Sequence, residues 1–478
     1  MSLSQLTVVP VRIGKENQPG RAGTYTLHAP YGGRPLAEVA LADAAQAHLA
    51  VAAALEAFHS YRNSPAHERA TLLLEASRRL EQEREAFARL LAEEVGKPIR
   101  AARAEVDRTI MTLRLSGEEA RRLNGEVIPV DATAAGAGKR GLTIPQPLGV
   151  VTCITPFNYP LNLLAHKLGP ALAAGNTVVV KPSPKAPLST ARLAELIESA
   201  GFPAGAINLV PCEPDVAELL VSHPDVAAVS FTGSAAVGRI IRNQAGLKPV
   251  VLELGSNAGN VVAPSADLDL AARSCASGGY VYAGQSCISV QRVYVHRSVM
   301  DQFAAKLVAH VRNLRLGDPL DESTDVGPLI DLASAERVAA WVEEAVAGGA
   351  RLLCGGRREG SLFEPTVLQN TRPEMRVVCE EVFGPVVSLM AYEEFDEALA
   401  AVNASRYGLH AGIFTNDLQE AARAVRELTV GGVVVNDAST FRSDLMPYAG
   451  VRESGLGREG IRYAIADLTH LKAVYLPL

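Results

Sequence analysis

From about residue 148 the sequence repeats a single unit: a short apolar run, a turn, then a stretch of helical length. Apolar runs stand at 150–154, 177–180, 206–210, 226–231 and 250–254, with helical stretches at about 163–174, 187–200, 214–222 and 235–245 between them. Strands alternating with helices of this length predict a parallel sheet covered on both faces. A second series, from about 265 to 436, places apolar strands at 292–295, 386–391, 411–414 and 433–435. The chain is therefore expected to be α/β, with two nucleotide-fold-like halves and a small β appendage.

The flanks are less regular. Up to about residue 28 the pattern suggests a strand or an extended arm. Residues 42–60 and 64–95 read as long helices. In the second, Leu73, Ala76, Leu80, Phe87, Leu90 and Leu91 recur at helical steps, Ser64-Pro65 supplies a start, and Gly96 and Pro98 supply a stop. A third helix is expected over about 100–122. The β-like, small-residue-rich stretch from Gly125 to Gly149 predicts a protruding hairpin, and the chain ends on an apolar segment at 473–478.

Composition excludes several functions. The 478 residues suggest about three domains, and 48% apolar with 21% charged residues is an ordinary globular balance. Lys plus Arg number 46 against 52 Asp plus Glu, a net charge of −6, without the basic cluster a nucleic-acid partner requires. No apolar stretch approaches the ~20 residues of a membrane span, and Met1-Ser2-Leu3-Ser4 does not open a signal peptide. The six cysteines, at 153, 212, 275, 287, 354 and 379, form no C-x-x-C pair, and H-E-x-x-H is missing. Neither a disulfide scaffold nor a metal site is expected. These features predict a reducing, cytoplasmic compartment and chemistry at one thiol.

Four segments carry candidate chemistry. Cys287, in G-Q-S-C, has Gly278, Gly279 and Gly284 upstream, which leave the backbone open to close approach. On residues alone it is equally a small buried hydrophobe or a nucleophile. Glu253 is the one carboxylate in the apolar run V-V-L-E-L-G. It is either a solvated acid at a strand end or a general base at the carboxyl edge of a parallel sheet, where open α/β sheets bind ligands. Asn158, in T-P-F-N-Y-P, marks a turn or supplies an amide donor to an oxyanion. The turn F-T-G-S-A-A-V-G offers Gly233 and Ser234 at a helix N-terminus, a possible phosphate cradle, but it is neither G-x-G-x-x-G nor a P-loop.

Together these segments resemble the NAD(P)-dependent aldehyde dehydrogenase superfamily over essentially the whole chain. By that resemblance Cys287 is the nucleophile, Glu253, 34 residues upstream, the general base, and Asn158 the oxyanion-stabilising amide. Lys181 in V-V-V-K-P-S matches the lysine that bonds the adenosine ribose. Gly233 and Ser234 match the pyrophosphate segment, and Glu381 and Phe383 in E-E-V-F-G-P-V match the pair that holds the nicotinamide ribose and ring. Thr155, Pro156, Phe157, Ser183, Lys185, Gly238 and Leu254 complete the implied coenzyme set; Asn436, P-Y-A-G-V-R-E-S-G and G-R-E-G complete the motifs. The implied fold is a Rossmann-type cofactor-binding domain (1–123 with 147–252), an α/β catalytic domain (253–440) and a β oligomerisation arm (124–146 with 465–478). Homodimers or homotetramers are implied, with the hairpin and C-terminal strand completing a neighbour's sheet.

The implied reaction oxidises a small aldehyde to its acid through a thiohemiacetal and a hydrolysed thioester. Glu253 favours hydrolysis over transfer to coenzyme A. Many NAD-preferring relatives carry a glutamate three residues beyond the ribose lysine; here stand Pro184 and then Lys185, which leaves room for a 2′-phosphate, so either NAD or NADP is expected. The stretches around Cys287 and F-R-S-D-L-M-P-Y are most similar to the branch of lactaldehyde, phosphonoacetaldehyde and non-phosphorylating glyceraldehyde-3-phosphate dehydrogenases. Arg442, Arg108 or Arg114 would then meet a substrate anion, unless they form ordinary salt bridges. Ser286 stands where some phosphate-using relatives carry an arginine. Two other readings compete: a cysteine hydrolase, which needs an imidazole at Cys287, and a non-catalytic binding protein on the same fold.

Overall fold

The computed structural model describes residues 6–477. Met1–Gln5 and Leu478 lie outside the described residues, and with them the leader reading of the first four residues and the outermost ends of the first domain and the arm.

The first series forms an eight-stranded sheet. Its five parallel strands lie in the order Ile207–Leu209, Thr177–Lys181, Val150–Ile154, Val226–Thr232, Val250–Glu253. Thus the chain steps outward on one side of Val150–Ile154, then returns to build the other side. The strand order reverses between Val150–Ile154 and Val226–Thr232, and such a switch point opens a crevice at the carboxyl ends of the strands. Val150–Ile154 is buried throughout, as a strand covered on both faces should be. Antiparallel strands Val11–Ile13 and Glu16–Gln18 extend one edge, and Gly455–Leu456 pairs with Val250–Glu253 at the other.

The second series forms a seven-stranded sheet around Gly259–Val262, flanked by Arg292–His296 and His410–Phe414. All its pairings are parallel except Arg351–Cys354 with Thr366–Gln369. Its apolar core is separate from those of the first sheet.

Pro160–Ala174 is buried at every position, the mark of an interior helix. It begins earlier than its apolar pattern suggests because Pro160 takes a first-turn position, where its fixed φ and missing N–H cost nothing. The helix expected over 64–95 is two helices, Ala66–Gln82 and Arg84–Val95, broken at Glu83 (φ −100°, ψ 12°). The periodicity passes through the break because Leu73, Leu80, Phe87 and Leu91 all enter one core. Near the N-terminus, Thr24–His28 and Thr7–Val9 flank Pro35–Ala40 in a small sheet.

In the arm, Val127–Ile128 and Lys139–Pro147 pair antiparallel, and Thr469–Pro477 lies along Lys139–Pro147 for nine residues of the same chain. Residues 465–467, expected to open the C-terminal strand segment, belong instead to the helix Ile461–Asp467.

Candidate active site

A cavity of ≈ 540 Å³ lies outside the carboxyl ends of the first sheet. Each strand delivers its following turn to the wall. Val150–Ile154 delivers Thr155, Pro156, Phe157 and Asn158; Thr177–Lys181 ends at Lys181 and is followed by Ser183. Val226–Thr232 precedes Gly233 and Ser234, and Val250–Glu253 ends at Glu253, followed by Leu254. The opposite wall carries Cys287, Glu381, Phe383, Arg442 and Tyr448.

One end of the cavity suits a dinucleotide. Ser234 caps the helix Ala235–Gln244, its hydroxyl accepting from the Val237 N–H at 3.4 Å; an anion there would meet free amides and the positive end of the helix. Lys181 is mostly buried, which lowers its pKa, and the Thr155 hydroxyl has no hydrogen-bond partner. Glu381 accepts from the Ser256 N–H at 2.9 Å, and burial pushes its carboxyl up to about 7. Gly255 leaves the carboxylate room in this position, because a Cβ there would stand 2.4 Å from it and displace the side chain. Phe383, at φ 47°, meets Phe157 edge to face with centroids 5.8 Å apart.

The other end holds the thiol. The turn before Cys287 puts Tyr282, Ala283 and Gly284 in succession at φ 51°, 52° and 70°, a strained conformation of the kind that collects at functional sites. Gly284 is required, since a Cβ would lie 2.2 Å from the Gly384 carbonyl oxygen. Asn158 Nδ2 donates to the Gln285 carbonyl at 3.1 Å, so the amide and the cysteine loop are directly tied. The Asn158 carbonyl accepts from Lys97 Nζ at 2.7 Å. Lys97 is ion-paired with Glu105, both fully buried, and lies over the rings of Tyr159 (3.6 Å) and Tyr282 (4.5 Å). Glu105 Oε1 in turn accepts the first-turn N–H groups of Leu161 (3.0 Å) and Asn162 (3.2 Å).

Glu253 is buried and neither carboxylate oxygen has a hydrogen-bond partner. Its pKa is raised well above the usual range, by burial first and by Glu459 second, against Arg442 and Lys167. Lys167 reaches the Thr232 hydroxyl at 2.7 Å and lies 3.7 Å from Glu459. Arg442 Nη2 donates to Glu459 at 2.9 Å, while its Nε has no hydrogen-bond partner. His166 and Arg108 meet Asp444 at 3.1 and 2.8 Å. Burial opposes ionisation of Glu459 and Asp444, yet these cationic and imidazole neighbours hold both carboxyls below their ordinary values. His166 itself is kept toward the neutral form, by burial and then by Arg442.

Four expected residues lie elsewhere. Arg114 points to solvent and pairs with Glu118 one turn on, at 3.6 Å, so it is not a substrate contact. Lys185 pairs with Asp331 at 3.0 Å and lines a neighbouring cleft. Gly238 is a packing position, where a Cβ would stand 2.6 Å from Leu254. Ser286 lines a small pocket beside Glu381 and Phe383 and not the main cavity. Arg108 meets the site only through Asp444. Conversely, Tyr448, Lys167, Glu459, Lys97 and Glu105 were missed; a lysine inside the predominantly apolar 160–174 stretch was the available signal for Lys167. Among the described residues no imidazole hydrogen-bonds Cys287, and no three His, Cys, Asp or Glu side chains are grouped to hold a metal. No described helix is long and apolar enough to cross a membrane.

Residues 18–474 match the aldehyde dehydrogenase family. The chain is 46% identical over 449 residues to a 3-sulfolactaldehyde dehydrogenase of Priestia aryabhattai, covering 94% of each. Among solved structures it resembles the NADP-dependent glyceraldehyde-3-phosphate dehydrogenase of Bacillus halodurans complexed with NADP (TM-score 0.97, 37% identity, 99% of this chain and 100% of that one). It is equally similar to aldehyde dehydrogenase 21 of Physcomitrella patens in complex with the reaction product succinate (TM-score 0.96, 37% identity, 99% of both chains).

Proposed function

Because the chain belongs to the aldehyde dehydrogenase family, and is thus an NAD(P)-dependent oxidoreductase, we propose that it oxidises a short, anion-bearing aldehyde to its acid with Cys287, Asn158 and Glu253 as its catalytic groups. The observation that carries this reading is the convergence of the three, with Arg442, on one cavity at the switch point. Cys287 attacks the carbonyl carbon. The resulting oxyanion is met by the second N–H of the Asn158 amide and by the Cys287 backbone N–H. The hydride acceptor would be supplied by NAD(P) bound at the other end of the cavity. The remaining thioester is hydrolysed by water that Glu253 deprotonates; its unpartnered oxygens suit a water rather than a fixed ion pair. Splitting the oxidation into acylation and deacylation gives two lower barriers. Asn158→Ala is expected to slow the hydride burst about 10²–10³-fold, the usual effect of losing one oxyanion donor, as stopped-flow absorbance will read.

For the coenzyme, Lys181 and Ser183 take the adenosine ribose, Gly233 and Ser234 the pyrophosphate, and Glu381 and Phe383 the nicotinamide half. No carboxylate stands at Pro184 to repel a 2′-phosphate, so both coenzymes serve, although Lys185 must leave Asp331 to assist. Comparing kcat/KM for NAD and NADP tests this.

The substrate anion is assigned to Arg442. Arg442 is the arginine that lines the cavity with Cys287; its Nη2 is given to Glu459, while its Nε, 3.4 Å from Asp444, has no hydrogen-bond partner and is the donor left for a substrate anion. The relatives named for sulfonated and phosphorylated aldehydes support the same chemistry. A charge-assisted hydrogen bond contributes about 1.5–3 kcal/mol. Arg442→Gln should therefore cost an aldehyde bearing a sulfonate or phosphate about 10–100-fold more in kcat/KM than a neutral aldehyde of equal length. Equal losses on both would sink the assignment.

The first sheet with its helices forms the coenzyme domain, the second the catalytic domain, and the three-stranded sheet the arm, whose C-terminal part is the strand Thr469–Pro477. Thr469–Pro477 leaves one edge unpaired and exposes Leu471, Tyr475 and Leu476, which supports a homodimer or homotetramer built through that strand. Six unpaired cysteines support a reducing, cytoplasmic setting.

A further inference from the structure

Among the described residues the Cys287 sulfur has one hydrogen-bond partner, and it is a phenol. Tyr448 Oη lies 3.1 Å from Sγ. Tyr448 is buried, and its ring is fixed from two sides. The Arg442 guanidinium stands 3.8 Å from the ring centroid. The His410 ring meets it edge-on at 5.0 Å and is itself held by the Ser439 carbonyl at 3.1 Å. The Tyr448 backbone also exchanges two hydrogen bonds with Glu459, at 3.0 and 2.7 Å. The hydroxyl is thus aimed at the sulfur by packing that needs no substrate.

A thiolate at this place is in difficulty without a donor. Burial pushes the Cys287 thiol up to about 12; Glu381 and Glu253 add to that, while Tyr448 and Arg442 oppose it. Tyr159 is the remaining titratable group that faces the sulfur. Burial keeps the Tyr448 hydroxyl protonated, and it keeps His410 neutral, down to about 4. Tyr448 is therefore a donor at any working pH.

On the reading that Cys287 is the nucleophile, we propose that the Tyr448 O–H hydrogen-bonds the Cys287 thiolate and enlarges its reactive fraction, with Arg442 as the positioning residue stacked on the phenol. The thiol proton passes to solvent. Tyr448 keeps its own proton, and none of its bonds breaks. The cation over the ring withdraws electron density from the phenol oxygen, which makes the O–H a stronger donor. Phenylalanine would fill the same space and keep both stacking contacts, so the hydroxyl alone carries the effect.

The test uses full-length Tyr448→Phe. Iodoacetamide labelling of Cys287 is followed against pH by peptide mass spectrometry, beside the NAD(P)H burst, coenzyme affinity and far-UV circular dichroism. A hydrogen bond to a charged group predicts labelling and burst about 10–100-fold slower than wild type at pH 7, the two falling by the same factor because both follow the thiolate fraction, and each rate rising with pH. Coenzyme affinity and circular dichroism stay unchanged. Labelling at the wild-type rate, or a burst lowered without a matching loss of labelling, overturns the proposal and leaves Tyr448 a packing residue. Slower labelling in Arg442→Gln with wild-type labelling in Tyr448→Phe also overturns it, by assigning activation to the guanidinium. A burst that persists in Cys287→Ala would instead defeat the nucleophile assignment, whatever the labelling profile shows.

Discussion

Cys287→Ala is expected to form no NAD(P)H from any aldehyde, whereas Glu253→Gln is expected to give a burst stoichiometric with active sites and then turn over about 10²–10⁴-fold more slowly, the usual contribution of a general base. The contrast follows from what each side chain touches. Without the sulfur no thiohemiacetal forms, so there is no intermediate from which hydride departs. Without the carboxylate the acyl group still forms and then waits for water. The surroundings of Glu253 add a pH signature. Burial and the neighbouring Glu459 charge raise its pKa, and a base works only when ionised. Steady-state turnover should therefore fall as pH drops through a midpoint above the ordinary carboxylate range, while the burst amplitude does not follow that midpoint. Stopped-flow absorbance across a pH series separates the two. Equal loss of the burst in both variants, or an acid limb at an ordinary glutamate pKa, would contradict the assigned roles.

The parts legible in the sequence were those whose signal is local. Five parallel strands could be read because each is an apolar run buried on both faces, as at Val150–Ile154. Their ends then named the turns that reach the cavity. Gly259–Val262, an interior strand of the second sheet, was missed because G-N-V-V is short and holds a buried polar residue. Asn260 is accommodated there only by contacts far along the chain: it accepts from the Ser439 N–H at 3.0 Å and donates to its hydroxyl at 3.2 Å. Site residues divide in the same way. Cys287, Glu253 and Asn158 sit in recognisable strings, but Tyr448 gains its meaning from a sulfur 161 residues away. Arg114 failed for the converse reason: helical spacing says which residues share a helix, not which face meets the cavity. Lys185 is expected from sequence to meet a 2′-phosphate or solvent, and only the fold brings Asp331 to it.

Lys97→Met should be the most destabilising single change around the site, at about 3–5 kcal/mol, because it strips the counter-ion from a buried carboxylate. Methionine matches the length of the aliphatic stem, so the packing between Tyr159 and Tyr282 is largely kept and the loss is electrostatic. Glu105 would be left with the N–H groups of Leu161 and Asn162 as its remaining partners, which cannot neutralise it. Removing both charges, in Lys97→Met with Glu105→Leu, should restore much of the stability, since replacing a buried ion pair with apolar groups is often neutral. Recovery stays incomplete because those two N–H groups then lack an acceptor. Activity should not recover in step. The Asn158 carbonyl loses its donor in both variants, and the amide on the same residue is the proposed oxyanion donor, so the hydride burst should stay slow in the double variant. Urea midpoints by circular dichroism and burst rates on the same preparations distinguish the two effects. If stability and burst rate rise together in the double variant, Lys97 serves the fold alone and the amide is positioned without it.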